Sequence, residues 1–136
     1  MILLDTNVIS ELMKSAADHA VERWYLLNEE ETALPATALA ELAFGVARLT
    51  DGARRRGLEG RLTEWRLRYA GRTIAFGATA ALHYGSILAV AEAGGGAMSV
   101  PDAQIAAIAM EHDCTLATRN IRDFVTTKLQ LINPWE

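Results

Sequence analysis

Three aliphatic residues followed at once by an acid set the frame for this chain. Ile2-Leu3-Leu4 runs directly into Asp5-Thr6-Asn7. A short unbroken apolar run suits a strand buried on both faces, and the polar trio after it suits a strand end and a helix start. The pattern recurs. Thr32-Ala33-Leu34 stops at Pro35, Thr73-Ile74-Ala75 and Thr115-Leu116-Ala117-Thr118 read as a third and a fourth strand, and Leu129-Gln130-Leu131-Ile132 as a fifth.

Helical spacing fills the intervals. Helices are expected from Val8 to about Lys14 and from about Ala16 to Leu27. A third, with Thr37 as its cap, carries Leu39, Leu42, Val46 and Leu49 on one stripe. An arginine-rich helix with Leu58, Leu62, Trp65 and Tyr69 as its apolar stripe follows the break at Asp51-Gly52. An alanine-rich helix from about Thr79 to Ala93 ends at Gly94-Gly95-Gly96. The last opens at Ser99 and Pro101 and buries Ile105, Ile108 and Ala109. Strands alternating with helices predict an α/β fold: a small parallel sheet of four to five strands with helices on both faces, in one domain spanning residues 1–136.

The sequence of 136 residues is 51% apolar, which excludes a disordered chain, and no apolar run reaches the roughly 18–20 residues of a membrane span. The start lacks a basic stretch ahead of its apolar residues, so no signal peptide is expected and a cytoplasmic location is. One cysteine, Cys114, excludes an internal disulfide framework or a cysteine-clustered zinc site. Charge is uneven. Arg48 to Arg72 holds eight arginines against Asp51, Glu59 and Glu64, a surplus of five; the other five bases and 14 acids leave −9, giving −4 overall. Such a block suits a phosphate-bearing partner. It equally suits a solvated helix face whose arginine stems cover apolar surface.

Ligands of open α/β sheets bind beyond the carboxyl ends of the strands. Asp5 ends the first strand, Glu41 lies early in the helix after the second, Asp102 opens the last helix, and Asn120 and Asp123 follow the fourth strand. Each has a bland role available: Asp5 as a helix cap, Asp102 beside Ser99 at a positive helix end, Glu41 in solvent, Asp123 at a turn. Gly45, one turn after Glu41, weighs against blandness. A mid-helix glycine costs about 1 kcal/mol against alanine, so something is expected to approach closely there. Four carboxylates at one sheet edge repel unless a cation joins them. Oxygen ligands without cysteine or paired histidines favour Mg²⁺ or Mn²⁺, ions suited to phosphoryl chemistry.

Four segments then resemble, in order, those of PIN-domain ribonucleases, in particular VapC-type toxins and their FitB-like subgroup. They are Leu3-Leu4-Asp5-Thr6-Asn7-Val8-Ile9-Ser10-Glu11, Thr37 through Gly45 around Glu41, Asp102 through Ala109, and Leu116 through Phe124 followed by Ile132-Asn133-Pro134-Trp135. The resemblance implies a PIN-like fold and a Mg²⁺- or Mn²⁺-dependent endoribonuclease in which water attacks phosphorus. It implies Asp5, Glu41 and Asp102 as metal ligands. Asp123 is carried over as the fourth acid and Asn120 as a polar helper, although many members hold an acid at the Asn120 position. Thr6, Asn7 and Thr118 would be supporting polar groups. It further implies an RNA substrate, a homodimer able to assemble further, and a VapB-like antitoxin through which alone the toxin meets operator DNA.

Two rivals stand beside it. A phosphatase of the haloacid dehalogenase type also begins with a strand and an Asp, but needs a second Asp where this chain has Asn7. A non-enzymatic PIN-fold module that acts with an antitoxin on operator DNA would share the fold, yet has no reason to retain mutually repelling acids.

Overall fold

The computed structural model describes all residues from Met1 to Glu136. Its centre is a five-stranded, wholly parallel sheet: β1 (Ile2–Leu4), β2 (Thr32–Pro35), β3 (Thr73–Ile74), β4 (Thr115–Ala117) and β5 (Leu131–Ile132) in the order β3-β2-β1-β4-β5. Helices α1 (Thr6–Leu12), α2 (His19–Asn28), α3 (Ala36–Ala47), α4 (Ala53–Arg68), α5 (Ala78–Ala93) and α6 (Val100–Glu111) occupy the connections. The strand order reverses at β1. The chain first winds through β2 to β3, then returns to the other side of β1 for β4 and β5. Because parallel crossovers are right-handed, helices before the reversal lie on one face and those after it on the other. The reversal also opens a crevice between β1 and β4, at their carboxyl ends.

The runs read as buried strands are buried. Leu3, Leu4, Leu34 and Leu116 are wholly inaccessible, and with them Ile105 and Ile108 of α6. Each such side chain contributes roughly 1.5–3 kcal/mol of apolar burial. Helix α6 is enclosed on nearly all sides, with Ala103 and every residue from Ile105 to Ala109 buried, which explains its lack of a clean amphipathic stripe.

Several boundaries differ from the expected ones. Helix α2 begins at His19 rather than Ala16, because the Asp18 carboxylate caps it by accepting the Ala20 and Val21 amides at 2.8 and 3.3 Å. Helix α1 spans Thr6–Leu12, earlier than expected, since Asp5 itself is the cap. Thr37 is no cap: Pro35 precedes α3, and the Thr37 hydroxyl donates instead to Gln104 Oε1 on α6 at 3.2 Å. Cys114 is buried and free. No helix is long and apolar enough to cross a membrane.

Candidate functional site

Asp5 stands at the crevice. Its amide donates to Ala117 O at 2.9 Å, so β1 remains tied to β4 up to its last residue, and the turn into α1 then aims the carboxylate at the end of β4. There three donors hold it. The Thr118 hydroxyl donates to Oδ2 at 2.7 Å, Asn7 Nδ2 donates to the same oxygen at 3.1 Å, and the Thr6 amide donates to Oδ1 at 2.8 Å. Asn7 also accepts the Arg119 amide at 3.1 Å, stitching the start of α1 to the segment after β4. Thr118 in turn accepts the Asn120 amide at 3.0 Å.

Thr6 reaches the other way. Its hydroxyl donates to Glu41 Oε1 at 2.6 Å and so fixes the glutamate of α3 beside the β1 end. The Thr37–Gln104 bond joins α3 to α6 one turn before Glu41 and two residues after Asp102. Asp102 lies in the first turn of α6, its amide donating to the Ser99 hydroxyl at 3.2 Å. Asp123 lies in the first turn of the 3₁₀ segment Ile121–Thr127 and is exposed, as is Asn120 just before it.

The electrostatics tie these groups together. Asp5 is 3% exposed, and burial pushes its carboxyl up to about 6, with repulsion from Asp102 and Glu41 adding to the rise. The bonds from Thr118 and Thr6 pull against that rise without cancelling it. Asp102 is also pushed up, first by burial and then by Asp123 and Glu41. No lysine, arginine or histidine forms an ion pair with any of the four acids. At the same time, no three of them close into a compact metal-binding cluster. The arrangement is an open, uncompensated anionic crevice edged by hydroxyls and amides.

All eight residues singled out in the sequence fall at this end of the sheet. The spacing gave no hint of Thr37, Gln104 or the Arg119 amide as supports, because each joins segments distant along the chain. Gly45 departs from expectation. A Cβ built there meets no protein atom within 4 Å, so nothing inside the chain makes the close approach that a mid-helix glycine suggested.

Comparison with known proteins supplies the family. The PIN domain pattern matches residues 2–128. The VapC ribonuclease Y4jK of Sinorhizobium fredii is 41% identical, covering 100% of this chain and 99% of that protein. The toxin FitB of Neisseria gonorrhoeae is 38% identical over 99% of each chain. The solved structure of FitAB bound to an IR36 DNA fragment superposes with a TM-score of 0.89 at 36% identity, covering 100% of this chain and 96% of that one. With four acids at the switch point of a parallel sheet and relatives similar along their whole length, the chain belongs to the PIN-domain family.

Proposed function

We propose that this protein is the toxin of a type II toxin–antitoxin pair, an endoribonuclease that hydrolyses RNA phosphodiesters with Mg²⁺ or Mn²⁺. The observation that carries this reading is the pair Asp5 and Asp102, buried and half-buried carboxylates that repel their neighbours and have no basic partner. An uncompensated anionic crevice of oxygen donors fits a hard divalent cation. Mg²⁺ in particular keeps several waters and takes only one or two carboxylates directly, which suits acids that do not close into a tight group. Asp5 and Asp102 would hold the ion, with Glu41 and Asp123 completing the set directly or through water. When bound, the cation lowers the pKa of a coordinated water and offsets charge on the reacting phosphate.

The chain's own residues supply positioning. Thr118, Asn7 and the Thr6 amide hold both Asp5 oxygens, so the carboxylate meets its ligand with little freedom left to lose. Thr6 does the same for one Glu41 oxygen. Asp123 and Asn120, both exposed, line a depression of about 340 Å³ together with Arg119 and Arg122. FitAB was solved on DNA, and FitB is named a toxin. By analogy this chain pairs with a VapB-like antitoxin that makes the operator contacts, and it does so as a homodimer. Exposed Leu82 and Val90 on α5 leave apolar surface for such an assembly.

The test is cleavage of a mixed cellular RNA pool by antitoxin-free protein with Mg²⁺, with Mn²⁺ and with EDTA. Wild type is expected to cut only with metal, and folded Asp5→Asn to lose at least about a hundredfold in rate, or roughly 3 kcal/mol of barrier lowering. Equal cutting by the two proteins, or none by wild type under either metal, defeats the nuclease reading.

A further inference from the structure

The depression beyond β4 opens onto the acids. Its walls include Asn120 and Asp123, and the Asp123 carboxylate is near enough to Asp102 to push that group's pKa up. Arg119, Arg122, Asn133 and Glu136 line most of the rest, with Ile121 as the sole hydrophobic residue. A second hollow, between α1, α3 and α4, also reaches an acid, Glu41, and holds Arg54. Half of its lining is hydrophobic, from residues such as Met13, Leu42 and Leu58, so a charged ligand would give up water there for little in return.

Both arginines of the polar depression are unspent. Neither guanidinium pairs with a carboxylate, although Asp123 and Glu136 share their walls. Arg23, Arg48, Arg54 and Arg66 are also unpaired, so the lack of a partner marks no site by itself. Place and order set these two apart. The Arg119 amide donates to Asn7 at 3.1 Å, and Asn7 donates to Asp5 at 3.1 Å, so one side chain ties Arg119 to the most buried acid. Its guanidinium lies 5.0 Å from the centroid of the Trp135 ring. Trp135 is held in turn, its amide donating to Asn133 Oδ1 at 3.0 Å. Stacking occupies the face of a guanidinium and leaves the N–H donors in its plane open, a fork that matches the oxygens of a phosphate. Arg122, exposed in the first turn of the 3₁₀ segment, brings a second charge to the same walls.

We propose that Arg119 and Arg122 together hold, in this depression, the RNA phosphate next to the one being cleaved, as positioning residues for the substrate. The proposal rests on the nuclease reading and adds to it the place of the neighbouring nucleotide. A strand whose reacting phosphate lies at the acids carries its next charge one nucleotide away, and that charge rests beside Asp123 only where cations receive it. An acidic peptide would satisfy the arginines equally. RNA alone has a further group that belongs at the adjoining acids.

Binding is measured by anisotropy of a short fluorescein-labelled oligouridylate on full-length Asp5→Asn protein, which leaves the RNA uncut, at fixed Mg²⁺ over a series of KCl concentrations. Adding Arg119→Gln and Arg122→Gln together is expected to weaken binding about tenfold, as for a lost charge-assisted hydrogen bond. The slope of log K against log salt should shrink by about 0.7, the share of one single-strand phosphate. Arg48→Gln is the matched control, since Arg48 is unpaired and lies over an aromatic ring, Phe44, but is not among the residues lining this depression. It should change neither quantity. Glutamine keeps the aliphatic stem, and Arg122→Gln alone serves if losing the stack on Trp135 lowers the melting temperature. Unchanged affinity in the double variant, an equal loss from Arg48→Gln, or no RNA binding by the parent overturns the proposal. So does binding of fluorescein-labelled hexaglutamate that the double variant loses while keeping RNA, which gives the depression to an acidic peptide. Cleavage of RNA by the otherwise wild-type protein separates the two levels. The double variant should raise KM about tenfold with kcat nearly unchanged, the mark of binding made equally before and during reaction. Metal-dependent cutting with an unchanged KM removes this contact alone, whereas no cutting by wild type removes the nuclease reading as well.

Discussion

The two ends of the sheet treat their polar groups in opposite ways. At the amino end, Thr32 opens β2 beneath a closed chain of hydroxyls. Thr32 Oγ1 donates to Glu29 O at 2.6 Å, and it lies 2.6 Å from Tyr69 OH, which lies 2.7 Å from Tyr25 OH. With one proton per hydroxyl, Tyr69 donates to Thr32 and Tyr25 donates to Tyr69. Trp65 stacks on Tyr69 with centroids 5.5 Å apart, and Arg72 covers the Tyr69 ring from 4.4 Å while donating to Glu29 O and Thr32 O. Every polar group there is satisfied. At the carboxyl end, Asp5 is equally well hydrogen-bonded but remains a buried charge among like charges. Hydrogen bonds satisfy atoms; they do not neutralise charge. One end holds the fold together, and the other holds unfavourable electrostatics in reserve for a ligand.

The largest test of this contrast is Tyr69→Ala. It removes a fully buried ring and cuts the hydroxyl chain, so denaturant unfolding should show a loss of about 3–5 kcal/mol. RNA cleavage per folded molecule should stay as in wild type. A catalytic defect in the folded fraction would mean that the two ends are coupled.

Asp5→Asn should move stability the other way. The folded-state carboxyl titrates near 6, against 3.8 for the ordinary group. Between those values the folded protein binds a proton that the unfolded chain has already released, so stability falls as pH rises through this window. The full loss above pH 6 is about 3 kcal/mol for a shift of roughly two pH units. In EDTA, the Asp5 contribution should therefore be greatest at or below about pH 4 and fall as pH rises towards 6, and Asp5→Asn should lack this part of the decline, ending up to about 2 kcal/mol more stable at pH 7.5 after allowance for its weaker helix cap. Urea unfolding of both proteins across that range reads the difference directly. A wild-type profile flat from pH 4 to 7 would show that the acids are not stored strain.

The carboxyl end was far more legible in the sequence than the amino end, for a physical reason. Asp5, Glu41, Asp102, Thr118, Asn120 and Asp123 each sit just after a strand or early in a helix, so finding the elements placed them at one edge. The strands themselves were clear because β1, β2 and β4 are apolar enough to be buried on both faces. The hydroxyl chain gave no such signal. Tyr25, Thr32 and Tyr69 are joined only by tertiary packing, and Tyr69 read simply as part of an apolar stripe. The arginine block was illegible as a unit because it is not one. Arg72 and Arg61 anchor backbone carbonyls, Arg55 and Arg56 pair with acids, and Arg54 is left free, a division that depends on where each side chain points. Helix starts slipped where a cap was hidden, as at Asp18, or where Thr37 turned its hydroxyl to another helix.

The smallest expected effect isolates what a hydrogen bond does for a buried charge. Thr118→Val keeps the shape of the side chain but removes the 2.7 Å donor to Asp5. That bond lowers the Asp5 pKa, so its loss moves the titration of Asp5 still further upward. Bonds to charged groups contribute roughly 1.5–3 kcal/mol and neutral ones roughly 0.5–1.5, so in EDTA the variant should lose about 1.5 kcal/mol or more at pH 7.5 and less at pH 4, where Asp5 is protonated. The sign follows from the same linkage: a group pushed up further loses more stability as pH rises, and its window extends to higher pH. In the Asp5→Asn background the pH dependence of the Thr118→Val penalty should vanish, because no charge is left to hold. Thr118→Ser, which keeps the hydroxyl, should restore the wild-type profile apart from a small packing loss. A penalty from Thr118→Val that is identical at pH 4 and 7.5 would assign it to packing and to the lost bond from the Asn120 amide, and leave Asp5 oriented by Asn7 and the Thr6 amide alone.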